Sequence, residues 1–317
     1  MELTPCPLFC NEMLKDRQLR ADLALLVVTL IWGATFVMVK GAVAGFPVFA
    51  FLAVRFLLAS LALLPLVATR LRSASSRKRS RATHEVSWRH LRAGGIVGLL
   101  LFAGYALQTI GLRYTTASKA GFITGLSVAI VPVLSALLLR RAPDRLAILG
   151  VALATLGLAL LSLGEDLTVN RGDLLVLGCA LAFASHIVAV GAFAPRMDAL
   201  TLAFFQIATV ALVSGLTSLA VERPWPAMPG HVLFAAAFTG VLATSLAFAV
   251  QTAAQRFTSP THTALIFAAE PVFAALFGYL LAGERLGSRG LMGCALILAG
   301  MVVAELGRGM VKAEGKS

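Results

Sequence analysis

Charged side chains are scarce in this 317-residue chain: Asp, Glu, Lys and Arg together make up 13% of it, while 59% is hydrophobic. That charged share is about half of what a soluble domain carries, and a water-exposed surface cannot be built from so few polar groups. Acidic residues are scarcer still, 15 against 27 Lys and Arg, for a net charge of +12. A surplus of this sign can mark a nucleic-acid binder, but here the basic residues sit in short segments between apolar stretches. The longest, Arg70 to Arg92, reads as one interhelical loop. Lysines and arginines in such places are anchors near anionic lipid, so membrane lipid is an expected partner and nucleic acid is not. Cysteine is limited to Cys6, Cys10, Cys179 and Cys294, with no metal-ligand spacing. The chain also lacks a CxxC array, HExxH, GxSxG and a glycine-rich phosphate loop. No metal, cofactor or enzymatic activity is expected, and the loops are too sparse for an ATPase domain.

What the chain has instead is a series of apolar stretches of about 17 to 25 residues, the length that crosses a hydrocarbon core. They fall at 23–43, 48–69, 93–112, 118–139, 146–164, 173–193, 199–220, 231–250, 261–282 and 289–306. Backbone amides in hydrocarbon must bond internally, and the runs lack the alternation of a barrel strand, so all ten read as helices. With both ends of the chain on the cytoplasmic side, 19 Lys and Arg lie inside and seven outside, with Arg55 within a span. The imbalance favours that orientation. The first twenty residues do not form a signal peptide. Met13 opens a more conventional start, leaving residues 1–12 as a disordered tail or a product of start-site choice.

The two halves repeat. An offset of 151 carries Asp22 onto Asp173 and Arg55 onto Gln206. An offset of 143 aligns ALQTIGLRYTTASKA (106–120) with AVQTAAQRFTSPTHT (249–263), matching Gln108 with Gln251, Arg113 with Arg256 and Lys119 with His262. Asp144, Arg145 and Leu146 match Glu284, Arg285 and Leu286 at an offset of 140, and Pro132 falls near Pro271. The expected organisation is a tail 1–21, a first repeat 22–164, a linker 165–172, a second repeat 173–306 and a tail 307–317. Five spans per copy invert the second copy in the membrane, and inverted pairs are suited to opening a central cavity alternately to each side.

Ionisable groups at membrane depth normally face a cavity or a partner. Glu270, followed by Pro271 near the middle of the ninth span, is the clearest candidate for a substrate or proton site, or for a structural ion pair. Pro271 and Pro132 are candidate kinks, since proline withholds a backbone donor. For Arg55 three readings stand: contact with an anionic substrate group, pairing with Glu270, or snorkelling to the headgroups. His186, deep in the sixth span, suits either a proton relay or an interhelical hydrogen bond. Lys119 and His262 open the fourth and ninth spans, at opposite faces, as gate contacts or interfacial residues. Gln108, Gln251 and Gln206 are neutral groups that donate and accept, fitting scaffold fixtures or substrate contacts. Trp32 is a flat wall for a ligand or a packing residue. Repeat matching places Val131 near the counterpart of Glu270, so the halves contribute different charges.

Four stretches carry a family resemblance: TLIWGATFVMVK (29–40), VRFLLA (54–59), QTIGLRYTTASKAGFITGLSVAIVPVLSALLL (108–139) and AAEPVFAALFGYLLAGERL (268–286). Together they resemble the EamA-type ten-helix permeases of the drug/metabolite transporter superfamily, from Asp22 to about Leu306. The resemblance implies an all-α integral membrane fold of two inverted five-helix repeats in a bacterial inner membrane. It also implies a central pathway and export of amino acids, related metabolites or toxic compounds. Trp32 and Gly33, Arg55, and Glu270 with Pro271 match the family's signatures, and Val131 before Pro132 departs from a symmetric Glu-Pro pair. The expected activity is secondary transport of a small metabolite, with proton coupling through Glu270 or His186 as a further expectation.

Overall fold

The structure is a computed structural model that describes residues 7–77, 82–115, 117–140, 143–162, 169–222, 227–282 and 287–314. The described residues form helices joined by short turns. The first half contains α1 (Pro7–Val43), α2 (Val48–Arg77), α3 (Ala82–Gly111), α4 (Ala117–Gly125), α5 (Ser127–Leu139) and α6 (Arg145–Ser162). The second contains α7 (Arg171–Phe193), α8 (Ala199–Val221), α9 (Gly230–Gly240), a π-helical turn (Val241–Leu246), α10 (Ala247–Ala254), α11 (Pro260–Phe267), α12 (Glu270–Ala282) and α13 (Ser288–Glu314). Nine spans among the described residues are long and apolar enough to cross a bilayer, and the tenth, Arg145–Leu161, is apolar but shorter. Large apolar side chains such as Leu137 (71% exposed), Phe234 and Leu212 stand on the outer surface. Such a belt belongs against lipid, because in water it would be an aggregation surface.

Helix bounds depart from the expected spans where the chain is polar. Helix α1 already runs from Pro7, inside the segment expected as a tail, and α13 continues to Glu314. The basic segment after Arg70 is helical as far as Arg77 and again from Ala82, because Arg, Lys and Ser do not terminate a helix that has already begun. Residues 1–6, linker residues 165–168 and the Glu284–Leu286 half of the third sequence match lie outside the described residues.

The inverted repeat is written into the helix breaks. The fourth span divides into α4 and α5 at Leu126, and the ninth into α11 and α12 at Ala268 and Ala269. An offset of 143 relates Ala117 to Pro260, Ser127 to Glu270 and Leu139 to Ala282, so the two broken spans share their starts, second halves and ends. The counterpart of Glu270 is therefore Ser127, not Val131. Pro271 lies in the first turn of α12, where a missing N–H costs nothing. Pro132 lies within the body of α5, six residues beyond the break at Leu126. The two prolines are not equivalent.

The eighth span carries one residue more than the third. Gly98 and Gly240 are 142 apart and make the same contact: a Cβ on either would lie 2.7 Å from a backbone carbonyl oxygen of the facing helix, that of Gln206 or Arg55. Beyond the π turn the offset becomes 143. A π turn absorbs a single inserted residue within a helix, and Val241–Leu246 is where the insertion is taken up.

Each half supplies one helix to a glycine seam. A Cβ on Gly150 of α6 would lie 2.5 Å from the carbonyl oxygen of Gly300 on α13, and the reverse contact has the same length. Gly157 and Gly293 repeat this at 2.6 and 2.7 Å. Small residues let membrane helices pack backbone to backbone, where dispersion replaces the absent hydrophobic drive. Helices α2 and α8 run antiparallel beside each other and cap each other's ends. The Glu222 carboxylate accepts from the Phe49 and Ala50 amides at 3.0 and 2.9 Å, and Arg70 pairs with the α8 cap Asp198 at 3.4 Å.

Gly157→Leu should separate α6 from α13 and destabilise the protein by about 1–3 kcal/mol, read as a lower thermal midpoint in detergent. Gly95→Ala, at a glycine with open space around it, should leave that midpoint unchanged.

Candidate functional site

The breaks open on one central cavity of about 430 Å³, and the π turn holds two of its lining residues from behind. Its floor and walls come from both repeats, and the aromatic positions obey the repeat offsets. Trp32 and Phe183 are 151 apart, Tyr105 and Phe248 are 143 apart, and all four line the cavity. They interlock edge to face: Tyr105 lies 5.3 Å from Phe183, and Trp32 lies 4.8 Å from Phe267. Aromatic edges and faces of this kind give an apolar wall with a fixed shape.

The charges break the symmetry. Arg55 is only 3% exposed, and its guanidinium carbon stands 5.0 Å over the Tyr105 ring and 5.6 Å from the Phe56 ring. Its Nε donates to the Thr244 hydroxyl at 2.9 Å, and Thr244 donates in turn to the Thr239 carbonyl five residues back. The π turn thus holds the arginine. It holds Trp32 as well, since the Ala243 carbonyl accepts the indole N–H at 2.8 Å. Glu270 opens the half-helix α12 on the cavity wall, and Gly33 of α1 packs against its backbone, with a Cβ position 2.9 Å from the Glu270 carbonyl. Among the described residues, no carboxylate pairs with Arg55 and no cation pairs with Glu270. The two therefore do not form the ion pair that one reading of the sequence expected, although they line the same space.

Of the other residues singled out from the sequence, His186, Gln108 and Gln251 also reach the cavity. Gln206 does not. It stands behind the wall, fully buried, 2.7 Å from His186 and donating to Thr252 at 3.0 Å. Gln108 donates to Thr124 at 3.2 Å, on the short helix α4. Lys119 and His262 are outside the lining. His262 joins Asp22 and Glu305 at 3.6 and 3.0 Å, tying α1, α11 and α13 together on the face where the first span begins. Sequence reasoning missed Tyr105, Thr244, Phe183, Phe248, Phe267 and Ser127. The same offsets that paired Gln108 with Gln251 would have paired Tyr105 with Phe248 and Trp32 with Phe183, whereas Thr244 had no such signal because the π turn shifts its register.

The two faces of the protein differ. Toward the Arg113 face the cavity meets a vestibule of about 800 Å³ lined by the 43–47 turn, Arg113 and Glu222, and Leu112 lines both spaces. Toward the Asp22 face it is closed: Ala21 and Leu25 pack with Ala254 and Ile266, and Gly191 of α7 meets Pro260, whose Cγ lies 2.6 Å from a Cβ position on that glycine.

These features describe a helical, multi-pass membrane carrier made of two inverted repeats around a central site with a vestibule next to it on one face. The EamA-like transporter family model matches the chain twice, at residues 19–163 and 170–305, and the chain belongs to that family. An uncharacterized transporter of Archaeoglobus fulgidus is 32% identical over 290 residues, covering 92% of this chain and 87% of the relative. A crystal structure of a protein at 21% identity superposes with a TM-score of 0.73 over 92% of this chain and 98% of the other, a likeness of fold. The chain is thus a transporter of the drug/metabolite superfamily type.

Gln206→Leu removes a partner from both His186 and Thr252. Loss of those buried bonds should cost about 1–3 kcal/mol, seen as a lower thermal midpoint, whereas Gln206→Glu, which keeps the acceptor, should recover part of the loss.

Proposed function

We propose that this transporter moves a small zwitterionic or amphipathic metabolite, amino-acid-like with an apolar side chain, by alternating access. The observation that carries the reading is the pair of opposite charges, Arg55 and Glu270, without ionic partners among the described residues, in one aromatic-walled cavity. An unpaired charge at membrane depth is costly. A carboxylate on Arg55 and an ammonium on Glu270 would offset both costs at once, and a guanidinium fork suits a carboxylate geometrically. The volume fits a molecule of amino-acid size, and Trp32, Tyr105, Phe183, Phe248 and Phe267 offer faces to an apolar side chain.

With both ends of the chain cytoplasmic in a bacterial inner membrane, the Arg113 face lies outside, and the cavity is open outward. Net movement in this reading is export driven by a gradient, with Glu270 exchanging a proton as the ammonium leaves. A purely structural role would not require opposite charges left unpaired beside a vestibule.

Counterflow in liposomes tests this. Labelled neutral amino acids with large apolar side chains should exchange, and Arg55→Gln should weaken their half-saturation concentration by about 10-fold or more, as for one lost charge-assisted hydrogen bond. The corresponding amines, lacking the carboxylate, should be affected less by that change. Glu270→Gln should abolish the response of flux to an imposed pH gradient while leaving membrane insertion intact. Equal exchange of amines and amino acids by both proteins would sink the zwitterion reading.

A further inference from the structure

The closed Asp22 face is held in part by a chain of side-chain amides. Gln255, 1% exposed at the end of the eighth span, donates its Nε2 to the backbone carbonyl of Ile187 on α7 at 2.9 Å. Gln251, one turn earlier and on the cavity wall, donates its Nε2 to Gln255 Oε1 at 3.0 Å. The orientation of both amides is fixed from one end: a backbone carbonyl can only accept, so Gln255 turns its NH2 to Ile187 and its oxygen to Gln251. Gln251 Oε1 is then left buried and without a partner among the described residues, at the cavity end of the chain.

The bond from Gln255 to Ile187 joins two elements that must separate if the cavity is to open on this face. Helix α7 meets the α10–α11 region here, with Gly191 against Pro260 at the same contact. The repeat offsets give the corresponding elements on the Arg113 face: the end of α1 and the region between α3 and α4. There the cavity adjoins the vestibule, and the residue 143 positions before Gln255 is Leu112, which lines both. Leucine has no hydrogen-bonding group. The Arg113-face gate is held differently: Arg113, next to Leu112, donates to the Phe46 carbonyl just past the end of α1 at 2.9 Å.

We propose that Gln255 is the latch of the Asp22-face gate and that Gln251 is the residue positioning it, a bond that Leu112 in the matching place of the other gate is unable to make. This rests on the alternating-access reading above. In hydrocarbon surroundings, the Ile187 carbonyl and the Gln255 amide find no ready replacement for each other, so the bond acts on the equilibrium between the two conformations.

Distance measurement between spin labels tests the latch without a substrate. In the full chain with its four cysteines replaced, one label pair at Arg196 and Phe257 spans the Asp22-face gate, and a second at Gly45 and Tyr114 spans the other. The parent should show a short distance for the first pair and a long one for the second. Gln255→Leu, which gives the second repeat the residue of the first, should raise the ratio of the opposite conformation by about 2–10-fold, the weight of one ordinary hydrogen bond. The first distance lengthens and the second shortens in the same proportion. Gln255→Asn, which stays polar but is one methylene too short, should act alike and guards against misfolding of the leucine variant, and Gln251→Leu should act in the same direction but less. If both conformations are present and their ratio is unmoved by the Leu and Asn variants, the latch is overturned while alternating access stands. If neither pair ever shows a second distance in any variant, the latch and the alternating-access reading fall together.

Discussion

Hydrocarbon offers no hydrogen bond, and nearly everything particular about this protein follows from where that rule is relaxed. The breaks of the fourth and ninth spans open on the central cavity and the π turn packs against its wall, whereas Pro65 within α2 lies exposed away from it. The breaks at Leu126 and at Ala268–Ala269 place the starts of α5 and α12 at the cavity. The π turn of the eighth span spends its irregular backbone on the Trp32 indole, and its Thr244 hydroxyl serves Arg55. Irregular backbone at this depth is tolerated where protein or a cavity supplies the partner, and here it also fixes the side chains of the site.

Symmetry and its violation divide the labour. The glycine contacts of Gly98 and Gly240, the broken spans, and the aromatic pairs Trp32 with Phe183 and Tyr105 with Phe248 recur in both halves, and they build a space of constant shape. Gln108 and Gln251 recur as well, but most other polar groups do not. Arg55 stands opposite Gln206, Glu270 opposite Ser127, His186 opposite Thr35 and Gln255 opposite Leu112. A symmetric frame lets each half adopt the geometry of the other, whereas the unmatched groups give the cavity a polarity and hold the two gates through different side chains. Recognition and directional bias are thus carried by few residues, and the majority serve packing.

The glycine seam of α6 and α13 has a different part. It lies outside the cavity and joins the last span of one repeat to the last span of the other through carbonyl-to-glycine approaches at two levels. A contact so close admits no sliding without clash, so it suits a fixed axis about which the other helices can move.

Composition and spacing alone determined the membrane class, the ten helices and the repeat, because hydrocarbon thickness sets span length and gene-level duplication leaves fixed offsets. They also marked Glu270, Arg55, Trp32, His186, Gln108 and Gln251, since a polar or aromatic residue inside an apolar run stands out by its cost. Tertiary structure decided what each of them faces. It showed Arg55 and Glu270 sharing a cavity without pairing, moved Gln206 behind the wall, took His262 out to a three-helix junction, and replaced Val131 by Ser127 as the partner of Glu270. Those outcomes depend on helix breaks and on one inserted residue in a π turn. Neither is visible in a hydropathy pattern, because a break between apolar residues such as Gly125 and Leu126 changes the direction of the chain without changing its polarity.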